Sequence, residues 1–229
     1  MMTYRPAQER GQANFGWLQS YHSFSFGSYY DPNHTGHGKL LVINDDYVEP
    51  GQGFGTHPHR NMEILSYVME GTIAHKDSEG NEYHVPAGDF QLMSAGSGIT
   101  HSEFNPSKSE ALKFLQIWIT PDVTGTKPGY QQKAFNQSGH TQLILSPDGA
   151  DGSLVIKQQA WLTRVRLSQG ESLDFTLNRT QNSYVQLVRG EVVINGQTMH
   201  PGDGLKLRDE KDIQVLANSD DVEFLLFEV

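Results

Sequence analysis

One pattern of strand, glycine and turn occurs twice in this chain, and it limits the fold more than any single residue does. The first copy runs Met69-Glu70-Gly71, then a hairpin around Ser78-Glu79-Gly80-Asn81, then Pro86-Ala87-Gly88-Asp89. The second runs Val188-Arg189-Gly190, then Glu191-Val192-Val193-Ile194-Asn195-Gly196, then Pro201-Gly202-Asp203-Gly204. A duplicated unit of short strands closed by turn residues implies two similar β-rich bodies. The 23 glycines fall largely at turn positions, and helical periods are few. The chain is therefore expected to be all-β, with two double-sheet barrels. The Pro/Gly/Thr-rich stretch Pro121 to Tyr130 reads as the linker, so the domains are expected at 1–130 and 131–229.

The first copy carries chemistry that the second lacks. Gly51-Gln52-Gly53-Phe54-Gly55-Thr56 leads into His57-Pro58-His59, and Gly96-Ser97-Gly98-Ile99-Thr100 leads into His101-Ser102-Glu103. Alternate residues of a strand share a face, so each pair projects together, its Cα atoms about 7 Å apart. Turned into one barrel, the four groups converge and form a candidate metal site. Pro58 suits an edge, with its ring turned away. In the second copy the positions matching His57 and His59 are Thr176 and Asn178, and those matching His101 and Glu103 are Val215 and Ala217. No ligand set remains there; His200 sits before a turn and His140 in a polar loop, and neither is expected to have a partner.

Other histidines read as ordinary. His22 shares the parity of Phe24 and Phe26 and reads as a half-buried, hydrogen-bonded side chain. His34 and His37 sit in a glycine-rich loop, and His75 and His84 on the hairpin, where exposure is expected. Lys39 to Asp46 reads as a β-rich run that ends in turn residues. Phe24, Phe26, Phe54, Met93 and Phe104 are candidate walls for any pocket beside the site.

Composition removes several classes of function. With 17 basic and 27 acidic residues the net charge is −10, which argues against direct binding of nucleic acid or anionic membrane. There is no cysteine, so disulfides, zinc–thiolate sites, iron–sulfur clusters and thiol nucleophiles are excluded. No apolar run approaches a membrane span, and the amino terminus has no secretory h-region, so a cytoplasmic location is expected.

His57-Pro58-His59-Arg60-Asn61-Met62-Glu63, Gln91 to Gly96 and Gly98-Ile99-Thr100-His101-Ser102-Glu103, with His22 to Phe26 and Gln116 to Ile119, resemble the pirin family of the cupin superfamily. The resemblance runs the length of the chain and is nearest to the bacterial branch of quercetin 2,3-dioxygenases. It implies a bicupin of two double-stranded β-helix (jelly-roll) barrels, with metal in the amino-terminal one only. It implies the ligands His57, His59, His101 and Glu103. In cupins generally the first motif supplies the carboxylate; here Glu63 stands near that position. The pirin pattern favours Glu103, which puts Glu63 behind the ligands, fixing an imidazole tautomer. Three imidazoles and one carboxylate suit Fe(II), Ni, Co, Mn, Cu or Zn, and the resemblance favours iron. The implied activity is oxygen-dependent cleavage of a flavonol such as quercetin with release of carbon monoxide, Glu103 also taking the substrate proton. The alternative the family offers is a metal- or redox-dependent modulator of a protein partner, without turnover.

Overall fold

The structure, a computed structural model, describes residues 1–177 and 179–229. In chain order the strands are β1 (Met2–Arg5), β2 (Gly11–Asn14), β3 (Leu18–His22), β4 (Leu40–Val48), β5 (Gly53–His59) and β6 (Glu63–Glu70). Then come β7 (Thr72–Asp77), β8 (Glu82–Pro86), β9 (Phe90–Ser94), β10 (Ile99–Phe104), β11 (Leu112–Ile119) and β12 (Gly129–Lys133). The second half supplies β13 (Thr141–Ser146), β14 (Leu154–Val155), β15 (Trp161–Leu167), β16 (Ser172–Thr176) and β17 (Asn182–Arg189). It continues with β18 (Val192–Ile194), β19 (Gln197–Met199), β20 (Gly204–Arg208), β21 (Asp212–Ala217) and β22 (Val222–Glu228).

The duplication seen in the sequence is a duplication of architecture. The front unit has a seven-stranded sheet, β12-β9-β6-β11-β4-β3-β2, and a four-stranded one, β5-β10-β7-β8. The back unit repeats both, as β1-β20-β17-β22-β15-β13-β14 and β16-β21-β18-β19. Each is a jelly-roll barrel, so the fold is the all-β bicupin expected.

The boundary expected at residue 130 is displaced. The back unit comprises residues 1–10, 136–155 and 159–229, and the front unit 11–135 with 156–158. β1 pairs antiparallel with β20, Arg5 opposite Gly204, just as β12 pairs with β9 in the front sheet, Gly129 opposite Ser94. β1 and β12 thus extend the two seven-stranded sheets at one end, each as the outermost strand. Gly129 and Tyr130, expected as the end of a linker, are accordingly the start of β12.

Register explains what lies inside the front barrel. Leu18, Val48 and Leu112 stand opposite one another across β3, β4 and β11, and Phe114 stands opposite Val68. With Ile73 and Val85 they form one apolar cluster. Ile64, Met93, Ala95 and Ile99 form a second, flanked by Trp118. Between the two clusters runs a polar rung: His22, Asn44, Gln116, Ser66 and Gln91 are successive cross-strand neighbours on five strands. All five are buried. β4 carries its part because it continues through Asn44 and Asp46 to Val48, where a turn was expected; its inward positions are simply polar.

Candidate metal centre

β5 and β10 pair antiparallel, with His101 opposite His57 and Ile99 opposite His59. Pro58 between the two β5 histidines is exposed, as alternation requires. The imidazole centroids are 4.8 Å apart for His57 and His59, 4.5 Å for His57 and His101, and 5.0 Å for His59 and His101. One potential ligand atom from each lies within 4.8 Å of the others. The strands can approach this closely because position 53 is glycine: a Cβ there would sit 2.3 Å from the Glu103 carbonyl oxygen and 2.5 Å from Phe104 Cα. A bulge follows. Two steps on β10, His101 to Glu103, match three on β5, His57 to Phe54. The extra residue turns Phe54 inward, where it packs edge-on against Trp17 at 5.3 Å and Phe114 at 6.4 Å.

The protonation state suits metal binding. His57 Nδ1 donates to the Gly55 carbonyl oxygen at 2.7 Å, which leaves Nε2 as the lone pair. Burial, with His101 and His57 alongside, lowers the His59 pKa to about 4. Burial, with His57 and His75, lowers that of His101 to about 3. At neutral pH both rings are uncharged. His101 is 2% exposed, and neither of its ring nitrogens has a hydrogen-bond partner. Buried polar groups without partners are rare in folded proteins, and here they face a histidine cluster.

Glu103 is equally buried. Oε1 accepts from Gln91 Nε2 at 2.6 Å and Ser66 Oγ at 3.3 Å, both in the polar rung, while Oε2 has no partner. Burial raises its pKa against the opposing pull of His75, His57 and these hydrogen bonds. Its close grouping is with His101 and His75. His75, expected at the surface, is thus buried: it stands opposite Glu103 across β7 and β10, and its Nε2 lies 3.0 Å from Asp77 Oδ2. Burial acts to raise the Asp77 pKa, but hydrogen bonds from His75 and Asn81 hold it below the usual range. The missed signal was parity, since Ile73, His75 and Asp77 share the inward face of β7.

Glu63 does not fix an imidazole. Asn61 adopts a left-handed turn (φ 51°) between β5 and β6, and the phase of alternation is lost there. Glu63 therefore shares a face with Ser94, whose Oγ donates to it at 2.7 Å; the Lys157 backbone N–H donates at 3.4 Å. Ser66, one step out of phase, faces Glu103. The tautomer role falls to the Gly55 carbonyl.

Beside the histidines lies a cavity of about 300 Å³. His57 and His59 line it, with Phe26, Tyr29, Phe54 and Trp118 as aromatic walls. Trp118 stands edge-on to His59, centroids 5.0 Å apart, its Nε1 donating to Gln116 Oε1 at 3.0 Å. Of the five expected walls, Phe26 and Phe54 reach the cavity; Phe24 and Met93 are core, and Phe104 is 39% exposed. His22 is buried and hydrogen-bonded to Asn44 Oδ1 at 2.7 Å, yet it also lines the cavity. In the loop, His37 is buried and His34 half-buried, neither solvated as expected, while His84 is exposed.

In the back barrel no group of three metal-ligating side chains is found among the described residues. Thr176 is exposed, Val215 and Ala217 are core, and Asn178 lies outside the described residues. His140 and His200, expected to lack partners, meet carboxylates, Glu171 at 3.2 Å and Glu191 at 3.6 Å. Among the described residues, no helix is long and apolar enough to cross a membrane.

The front cluster offers two open-faced imidazoles, a buried third, and a carboxylate oxygen awaiting a partner. That donor set fits a divalent cation of the first transition row, with neutral nitrogen ligands and one charged oxygen.

Comparison with known proteins agrees with this architecture. A family model described as Pirin matches residues 3–119, and one described as Quercetinase C-terminal cupin domain matches residues 143–229. The chain is 51% identical over 229 residues to the quercetin 2,3-dioxygenase of Escherichia coli (strain K12), covering 100% of this chain and 99% of that protein. It superposes on the crystal structure of Escherichia coli YhhW with a TM-score of 0.98 at 51% identity, covering 100% of this chain and 97% of that one. For bacterial pirin YhhW in complex with nickel(II), the TM-score is 0.96 at 51% identity, with 100% and 99% covered. The chain belongs to the pirin family.

Proposed function

We propose that the protein is a metal-dependent dioxygenase that cleaves flavonols such as quercetin. The observation that carries this reading is the double use of His57 and His59, which belong both to the ligand cluster and to the wall of an aromatic-lined cavity. A structural metal site would be closed; this one opens onto space for a small, flat ligand. The name of the Escherichia coli relative supports the substrate class, and the nickel(II) complex of its pirin supports a divalent ion.

His57, His59, His101 and Glu103 would hold the metal, with iron the first candidate by family resemblance and nickel supported by the relative. When bound, a divalent metal supplies Lewis acidity and a common template for the phenol and dioxygen. The rest is the work of this chain's residues. Phe26, Tyr29, Phe54 and Trp118 grip the flat ring system and exclude water. Gln91 and Ser66 fix Glu103 through Oε1, so Oε2 would be the oxygen that holds the metal, and it would take the proton of the 3-hydroxyl only on loosening from it. In the overall reaction two heterocycle bonds break, both oxygen atoms enter the products, and one ring carbon leaves as carbon monoxide.

The test is oxygen uptake by metal-loaded protein given quercetin, with carbon monoxide measured in the headspace. Uptake with about one equivalent of carbon monoxide, lost in His57→Ala, is the expected result. Absence of uptake under all six metals would sink the reading and turn attention to metal-dependent capture of a protein partner.

A further inference from the structure

Asp46 is a carboxyl group that a β-sheet has no structural reason to bury. It is 2% exposed, on β4, opposite Ser20 on β3 and Phe114 on β11. Ser20 Oγ donates to Oδ1, and among the described residues no other donor and no cation reaches the carboxyl. Buried carboxylates kept for structure are normally paired or multiply hydrogen-bonded. Asp46 instead lines the cavity beside the histidine cluster, with Ser20, Asn44 and Gln116 making one polar wall against the aromatic ones. Burial raises its pKa to about 7; Asp45 and Glu103 push the same way, and the Ser20 hydrogen bond opposes.

We propose that Asp46, held by Ser20, is the specificity-determining residue that accepts a hydrogen bond from a phenolic hydroxyl on the part of the ligand lying against β3 and β4. This rests on the reading that the cavity takes a flat polyphenol. An O–H can donate to Oδ2, since Ser20 engages Oδ1. An O–CH3 removes the donor, adds bulk and strands a buried polar group. The cavity thereby prefers polyhydroxylated rings to their O-methyl ethers.

The experiment uses nickel-loaded protein under anaerobic conditions, so that binding is read without turnover. The probes are 3′,4′-dihydroxyflavonol and 3′,4′-dimethoxyflavonol, which share a free 3-hydroxyl. Affinities come from quenching of tryptophan fluorescence, checked by calorimetry. At pH 8, where the carboxyl is ionised, wild type should favour the dihydroxy compound by about 10- to 100-fold, the range of a hydrogen bond to a charged group. Asp46→Leu should bring that ratio to within about threefold of unity while keeping its nickel, and Asp46→Asn should lower it in part. Both variants should melt at or above the wild-type temperature, because a buried carboxyl has been removed; a structural role would lower it. A wild-type ratio near one, an unchanged ratio in Asp46→Asn, or no binding of either compound overturns the proposal. If the ratio behaves as stated but no oxygen is consumed, the dioxygenase reading fails and this one stands. Oxygen consumption without discrimination gives the reverse.

Discussion

The two barrels share the order of their inner strands and have opposite interiors. In the back barrel sixteen buried residues, from Val165 to Leu226, form one continuous apolar cluster. The inward positions of β16 and β21, counterparts of the strands that carry the front histidines, are Leu173, Phe175, Ile213, Val215 and Ala217. In the front barrel two apolar clusters among the described residues flank the polar rung that leads to Glu103. One barrel has spent its interior on packing. The other carries buried polar groups that cost stability unless a ligand or partner satisfies them. The same architecture thus serves as scaffold in one copy and as a site in the other, and what separates them is polarity at a few inward positions.

The largest expected effect breaks the front copy alone. His101→Ala should reduce retained metal to below about a tenth of wild type and abolish oxygen uptake, because it removes the ligand shared by both histidine groupings. Its back-barrel counterpart Val215→Ala should leave metal content unchanged and cost about 1–3 kcal/mol of stability through the cavity it opens, measured by urea unfolding. Equal metal loss in both would mean that the barrels are not separable.

Next in size is the pH dependence of the metal-free protein. His59 and His101 are held well below their unfolded pKa. Their stabilising contribution is present above about pH 6.5 and is lost as pH falls through about 4 for His59 and about 3 for His101, since the unfolded chain binds protons that the fold refuses. Asp46 has the opposite sign: its contribution is present below its unfolded value and is lost as pH rises through about 7. Asp46→Asn should therefore steepen the rise of stability between pH 4 and 7, and at pH 8 should add up to about 4 kcal/mol. Val215→Ala should leave the slope as it is. A slope unaffected by Asp46→Asn would break the assignment of a buried, proton-holding carboxyl to the front barrel.

A smaller effect sharpens the role of the rung. Gln91→Leu removes the shorter hydrogen bond to Glu103. It should weaken metal affinity about 10- to 100-fold, as loss of an outer partner of a ligand does, while circular dichroism stays unchanged. The smallest is expected at the surface: Lys113→Ala breaks the exposed pair with Glu70 and should change stability by less than about 1 kcal/mol.

The residues that sequence reasoning placed well were those with strong local signatures. His57, His59 and His101 meet as the i, i+2 spacing implied, and the hairpin β7–β8 pairs across its Ser78 to Asn81 turn. The readings that failed depended on phase or on distant partners. Asn44 and Asp46 look like the end of a strand because their polarity mimics a turn, yet they continue β4. Glu63 reads as a residue backing the ligands, yet one left-handed residue at Asn61 turns it away to Ser94. His75 looks like any hairpin histidine until β10 is laid beside it. The amino-terminal strand cannot be assigned to the back sheet from its own sequence, since its partner β20 lies about two hundred residues away.

By itself, then, the sequence determined the number of barrels, their all-β character, and which copy bears the imidazoles, because alternation, turn chemistry and duplication are local properties of the chain. Only the tertiary structure decided which polar residues look inward, which strands lie outermost in each sheet, and that Asp46 and His75 stand inside the front barrel. Those outcomes follow from register between strands far apart in sequence, and a single bulge or left-handed residue is enough to reverse them.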